Sequence, residues 1–142
     1  MTYLLDTNAV IALLTNRRPA VRERLRRALA AGDTIGVPSI VLFELWYGVA
    51  RSARPQENAE RLHVFLAGDV SVWSFEPGDA AAAGALRATL EAAGTPIGAY
   101  DLLIAGQARR TGATLVTANV AEFARVGGLA WQDWASDGSP AG

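Results

Sequence analysis

Blocks of apolar and polar residues along this chain switch repeatedly between a strand-like and a helix-like pattern. Thr2–Leu5 reads as a short buried strand, and Thr7–Leu14 carries apolar residues at helical spacing. Pro19 is placed to open a second helix, in which Val21, Leu25, Ala28 and Leu29 form one apolar stripe and Gly32 stands as the terminating residue. Thr34–Val37 predicts a second strand. Pro38–Ser39 then opens a helix running to about Ser52, with Ser39 as its cap. Pro55 starts another helix that ends near Gly68, and Val70–Phe75 alternates as a strand. A long Ala-rich helix runs from Pro77 to Gly94, and the next from Gly98 to about Gly112. Thr114–Thr117 predicts a strand, Glu122–Arg125 a short helix, and Leu129–Trp131 a last strand packed by Trp131 and Trp134. Strands alternating with helices in this order predict an α/β sandwich around a mainly parallel sheet.

At 142 residues the chain suits one domain, placed at residues 1–136, with Asp137–Gly142 as a loose tail. Its apolar fraction of 51% is enough for a real core at this size. No apolar window is long enough to span a bilayer, and the opening Leu4–Leu5 is broken at once by Asp6 and Asn8, unlike a signal peptide. The absence of cysteine excludes disulfides and thiolate zinc sites, and a cytoplasmic location is the simplest expectation. The single histidine, His63, reads as a surface or interface residue and excludes catalysis by histidine pairs. Trp46 and Tyr47 read as core or partner contacts.

The net charge is −1, so the whole body is not a basic nucleic-acid binder. The distribution is uneven, because six arginines fall between Arg17 and Arg27 and the chain has no lysine. A solvated helix face explains that run. A phosphate-contacting face, with Arg17, Arg18 and Arg22 as candidates, explains it equally well.

Three acids stand in strongly apolar surroundings. Asp6 closes Tyr3-Leu4-Leu5, Glu44 interrupts Ile40–Phe43 and Leu45–Tyr47, and Asp101 precedes Leu102–Ala105. A buried carboxylate without a partner costs several kcal/mol or takes up a proton. Each has a local explanation: Asp6 as a helix cap, Glu44 paired with Arg51 or Arg54, Asp101 favoured by a helix dipole. Together they have another. Ligands of open α/β sheets gather at the strands' carboxyl ends, and all three acids fall where strands end or the following helices begin. A shared hard cation, Mg²⁺ or Mn²⁺, would stabilise them jointly and would suit phosphodiester hydrolysis. Asn119 follows a strand and can reach the same edge, and Asn8, Ser39 and Thr117 are candidates to orient the carboxylates.

These residues form motifs. Leu4-Leu5-Asp6-Thr7-Asn8 resembles the opening motif of PIN domains, and Phe43-Glu44-Leu45-Trp46-Tyr47-Gly48 the second. Tyr100–Ala105 resembles the third, and Leu115–Asn119 with Glu122-Phe123 the fourth. In order and spacing they resemble the VapC toxins of bacterial toxin–antitoxin pairs, close to the FitB-like subgroup. The resemblance implies a parallel five-stranded sheet between helices, in a PIN-like three-layer sandwich. It implies Mg²⁺ or Mn²⁺ held by Asp6, Glu44 and Asp101, with Asn119 completing the catalytic set. It further implies endonucleolytic cleavage of RNA, tRNA or ribosomal RNA being usual, and products with 5′-phosphate and 3′-hydroxyl ends. The partners implied are a VapB-type antitoxin that blocks the site and a second toxin copy in a homodimer. Many relatives carry aspartate at the position of Asn119; a neutral amide supplies no charge there, and Glu122 is a weaker candidate to compensate. The rival reading is a non-catalytic PIN-like scaffold that binds RNA or an antitoxin. A phosphoaspartyl protein would need a lysine, and the chain has none.

Overall fold

The apolar run ending at Leu5 forms the middle of the sheet. In the structure, a computed structural model describing residues 1–136, β1 (Thr2–Leu5) pairs in parallel with β2 (Thr34–Pro38) on one side and β4 (Thr114–Val116) on the other. β3 (Ser71–Trp73) adds to β2 and β5 (Trp131–Gln132) to β4, giving the order β3-β2-β1-β4-β5 with every pairing parallel. The expected α/β class and five-stranded parallel sheet are both found. The tail Asp137–Gly142 lies outside the described residues.

Helices fill each crossover: α1 (Thr7–Thr15) and α2 (Pro19–Ala30) between β1 and β2, α3 (Ser39–Arg51) and α4 (Pro55–Leu66) between β2 and β3. α5 (Pro77–Ala92) and α6 (Ala99–Thr111) return the chain past β1 to β4, and the short α7 (Val120–Phe123) leads to β5. The chain steps outward from β1 to β3 and then reverses to the other side of β1. With right-handed crossovers the two sets of helices cover opposite faces, and a crevice opens between the carboxyl ends of β1 and β4. α1 packs on α2, α3 and α4, while α5 packs on α6. Gly106 permits that last contact: a Cβ there would lie 2.8 Å from the Ala83 backbone. Leu4, Leu5, Val10, Val37, Val41, Leu62, Leu115 and Phe123 are fully enclosed and form the centre of the core. Among the described residues no helix is long and apolar enough to cross a membrane.

Several boundaries differ from the sequence pattern. α7 begins two residues early, directly after Asn119, because enclosed Phe123 must lie in its last turn. β5 is displaced to Trp131–Gln132, where the register Leu115↔Trp131 and Val116↔Gln132 fixes it; Leu129 is a buried anchor ahead of the strand. β3 is an edge strand and shrinks to Ser71–Trp73. Ser39 is not a cap: Pro38 occupies the capping position, and the Ser39 hydroxyl accepts a hydrogen bond from the Phe75 amide at 3.2 Å. Tyr47 is not core either, being 54% exposed, while Trp46 is half-buried and packs on exposed His63.

Candidate active site

Asp6 leaves β1 at the crevice, its amide donating to the Val116 carbonyl at 3.1 Å and so tying it to β4. Its backbone is extended, and its Oδ1 accepts from the Ala9 amide at 2.8 Å, capping α1. The local explanation for Asp6 is therefore correct, but it is incomplete. The side chain is buried and no cation pairs with it among the described residues. Burial pushes its carboxyl up to about 6; the Thr117 hydroxyl and the Ala9 amide pull the other way, and the charges of Glu44 and Asp133 add to the rise.

Glu44, in the middle of α3, is half-buried and accepts a hydrogen bond from the Thr7 hydroxyl at 2.8 Å. The alternative of a local pairing with arginine is not found among the described residues: Arg51 donates to the Tyr47 hydroxyl and Arg54 reaches Glu57. Asp101, in the first turn of α6, is raised to about 7 by burial, then by its hydrogen bond to Glu122 and the charges of Glu122, Glu44 and Asp6. Asn119 donates from Nδ2 to Glu122 Oε2 at 2.6 Å and to Asp101 Oδ2 at 3.4 Å. Glu122 is held below the usual carboxylate range by the Gly98 amide, which donates to its Oε1, and by Asn119 and Asp101.

These elements enclose one cavity of about 220 Å³, lined by Asp6, Thr7, Asn8, Glu44, Asp101 and Asn119. Three carboxylates, two amide carbonyls and the Thr7 hydroxyl form its donor set, with no arginine or histidine among them. Hard oxygen donors with uncompensated charge are the chemistry a divalent cation requires, so these residues fit such an ion. They do not stand as a closed cage, since among the described residues no three acids have the mutual spacing of a formed metal site. Burial raises the Asp6 and Asp101 carboxyls, and the repulsion of like charges in a poorly solvated space adds to that rise.

The remaining candidates divide. Thr117 bonds Asp6 and also accepts from the Asn119 amide at 2.9 Å, so it touches two of the candidate residues. Asn8 lines the cavity but makes no side-chain hydrogen bond to a carboxylate among the described residues. Ser39 is engaged by Phe75 and lies outside the lining. Arg17 and Arg18 border an adjoining recess, whereas Arg22 donates to the Leu13 carbonyl and Asn16 Oδ1, joining α1 to α2. Thr7 was not among the candidates. Its place beside Asp6 was visible, but its contact with Glu44 spans 37 residues.

A PIN-domain family model matches residues 3–129, and the chain belongs to the PIN-domain family. It is 37% identical over 134 residues to the tRNA(fMet)-specific endonuclease VapC of Shigella flexneri, covering 94% of this chain and 98% of that one. It superposes with a TM-score of 0.88 and 36% identity on a chain from the crystal structure of VapBC2 from Rickettsia felis bound to a promoter DNA fragment, covering 94% and 99% of the two chains. FitAcB from Neisseria gonorrhoeae shares the fold at a TM-score of 0.76 and 24% identity, covering 93% of this chain and 97% of that one.

Proposed function

We propose that this chain is the toxin of a VapBC-type toxin–antitoxin pair and acts as a divalent-metal-dependent endoribonuclease in the cytoplasm. The observation that carries the reading is the acidic cavity at the β1/β4 crevice, on a chain similar to VapC ribonucleases over 94% of its length. Asp6, Glu44 and Asp101 would hold the ion, Mg²⁺ or Mn²⁺ by the hardness of the donors, with Asn119 beside them. Bound there, the ion supplies Lewis acidity that offsets charge gathering on the phosphoryl oxygens and favours ionisation of water. Thr7 keeps Glu44 turned inward and Thr117 fixes Asp6, so the donors are oriented before RNA arrives. The Nδ2 contacts of Asn119 leave its Oδ1 as the group's remaining acceptor.

The substrate class is RNA, tRNA first, by similarity to the Shigella enzyme. A VapB-type antitoxin is the protein partner, by similarity to the VapBC complexes, and a second copy of this chain is the further partner that the motif resemblance implies. Phe43 and Tyr100, in contact at 5.5 Å and both about half exposed, supply apolar surface for such a partner. The purified chain should cut RNA with Mg²⁺ or Mn²⁺ and stop in EDTA. Asp6→Asn should lower cleavage by roughly a thousandfold with no loss of melting temperature, since the amide still offers an oxygen to Ala9 and buries no charge. Intact RNA after long incubation of the wild-type chain with Mn²⁺ would favour the non-catalytic scaffold.

A further inference from the structure

Beside the acidic cavity lies a second recess of about 310 Å³, at the lower end of the range of small-ligand pockets, roughly 300–1,000 Å³. The two are neighbours. Asn8 lines both, and Thr117, which bonds Asp6, lines the second. Their chemistry differs. Ile11, Val21 and Trp134 give the recess apolar surface, and the Trp134 indole N–H is already engaged by Gln132. Arg17 and Arg18 also line it; both are exposed and stand outside every ion pair among the described residues. The remaining charge is Asp133. Its Oδ1 accepts from the Ala135 amide at 2.9 Å, and no hydrogen bond to its Oδ2 is found among the described residues.

An apolar slot, two exposed guanidiniums and one carboxylate oxygen without a hydrogen bond among the described residues, adjoining an acidic cavity, match the parts of a nucleotide. A base has apolar faces and a polar edge, and a backbone phosphate suits an arginine fork. A carboxylate only accepts hydrogen bonds. It therefore favours a base edge carrying an amino group, as in adenine, cytosine or guanine. Uracil offers only one N–H, flanked by two carbonyl oxygens that the carboxylate repels.

Resting on the ribonuclease reading, we propose that this recess holds the base of a nucleotide flanking the cut, with Arg17 and Arg18 on the adjacent phosphates and Asp133 selecting an amino-bearing base over uracil. This makes Asp133 a specificity-determining residue. Fluorescence anisotropy of the full chain in EDTA, where no cutting occurs, tests it with oligoadenylate, oligocytidylate and oligouridylate of equal length at low salt. The wild-type chain should bind the first two roughly tenfold more tightly than the third, the worth of one hydrogen bond to a charged group. Asp133→Asn keeps an oxygen for Ala135 but places a donor in the recess, so the preference should vanish or reverse with the melting temperature unchanged. Arg17→Ala with Arg18→Ala should weaken all three alike and reduce the slope of log affinity against log salt by roughly 1.4. Equal binding of the three RNAs, no binding at all, or a preference that survives in Asp133→Asn would each overturn the proposal. Metal-dependent cutting by the same preparation reports on the ribonuclease reading separately: RNA cut without base preference removes the recess and leaves the enzyme.

Discussion

Asp79 and Asp6 are both withdrawn from solvent, and they are kept there by opposite means. Asp79, at the start of α5, is completely enclosed, yet each of its oxygens has a protein donor: Arg110 Nε at 2.6 Å and the Glu76 amide at 2.8 Å. Asp6 has a backbone donor and a hydroxyl but no cation among the described residues, and the charges of its neighbours Glu44 and Asp133 act against its own. The first carboxylate is satisfied within the fold. The second is left with a deficit that only a proton or an added cation removes. The same side chain is thus structural in one place and a binding group in the other, and the missing counter-charge marks which is which.

The largest effect on stability should come from the satisfied acid. Arg110→Ala leaves an enclosed carboxylate without its cation and should destabilise the protein by about 3 kcal/mol, read as a shift of the urea midpoint. Adding Asp79→Asn should recover part of the loss. RNA cleavage, corrected for the folded fraction, should not change. If Arg110→Ala altered cleavage and left stability untouched, the division between the two acids would collapse.

An effect of similar size should appear at the unsatisfied acid, as pH dependence. Asp6 is raised from 3.8 to about 6 and Asp101 from 3.8 to about 7, so over that interval the folded chain holds protons that the unfolded chain has released. Stability is then fully present below about pH 4 and declines as pH rises through 6 and 7, by up to about 3 kcal/mol for Asp6. Mn²⁺ at pH 8 should restore the loss, and at about pH 5 to 6, where both carboxyls still hold protons, its binding should release them. Thermal melts of EDTA-treated protein across this range check the sign; a stability that rises with pH would show that these acids carry no deficit.

The contrast also explains what could be read from the chain. Asp6 was legible because an acid ends an apolar strand run, and strand ends converge whatever the helices do. The alternation that predicted the parallel sheet was legible for the same reason, since buried strands of four residues leave little freedom in what they contain. Asp79 was not legible. In Pro77-Gly78-Asp79 it looks like an ordinary helix-start acid, and its burial depends on an arginine 31 residues later. Arg22 failed in the opposite direction: within a run of six arginines nothing marked the one whose guanidinium closes the joint between α1 and α2. Pattern reveals what a segment does to itself; contacts between distant side chains follow from the packing that pattern produces.

Thr7 carries the finest version of the comparison, because it supports a site acid as Arg110 supports a structural one, but with a hydroxyl in place of a charge. Its Oγ1 donates to Glu44 Oε1 at 2.8 Å from the residue next to Asp6, so one turn of chain sets the direction of two donors. Thr7→Val keeps the shape and removes the hydrogen bond. A net hydrogen bond of about 1 kcal/mol corresponds to roughly a fivefold effect. It should appear as a higher Mn²⁺ concentration for half-maximal cleavage, with the rate at saturating ion little changed and the melting temperature held. Thr7→Ser should restore the wild-type ion dependence. An unaltered Mn²⁺ requirement in Thr7→Val would mean that Glu44 needs no guidance, and that α3 alone points it into the cavity.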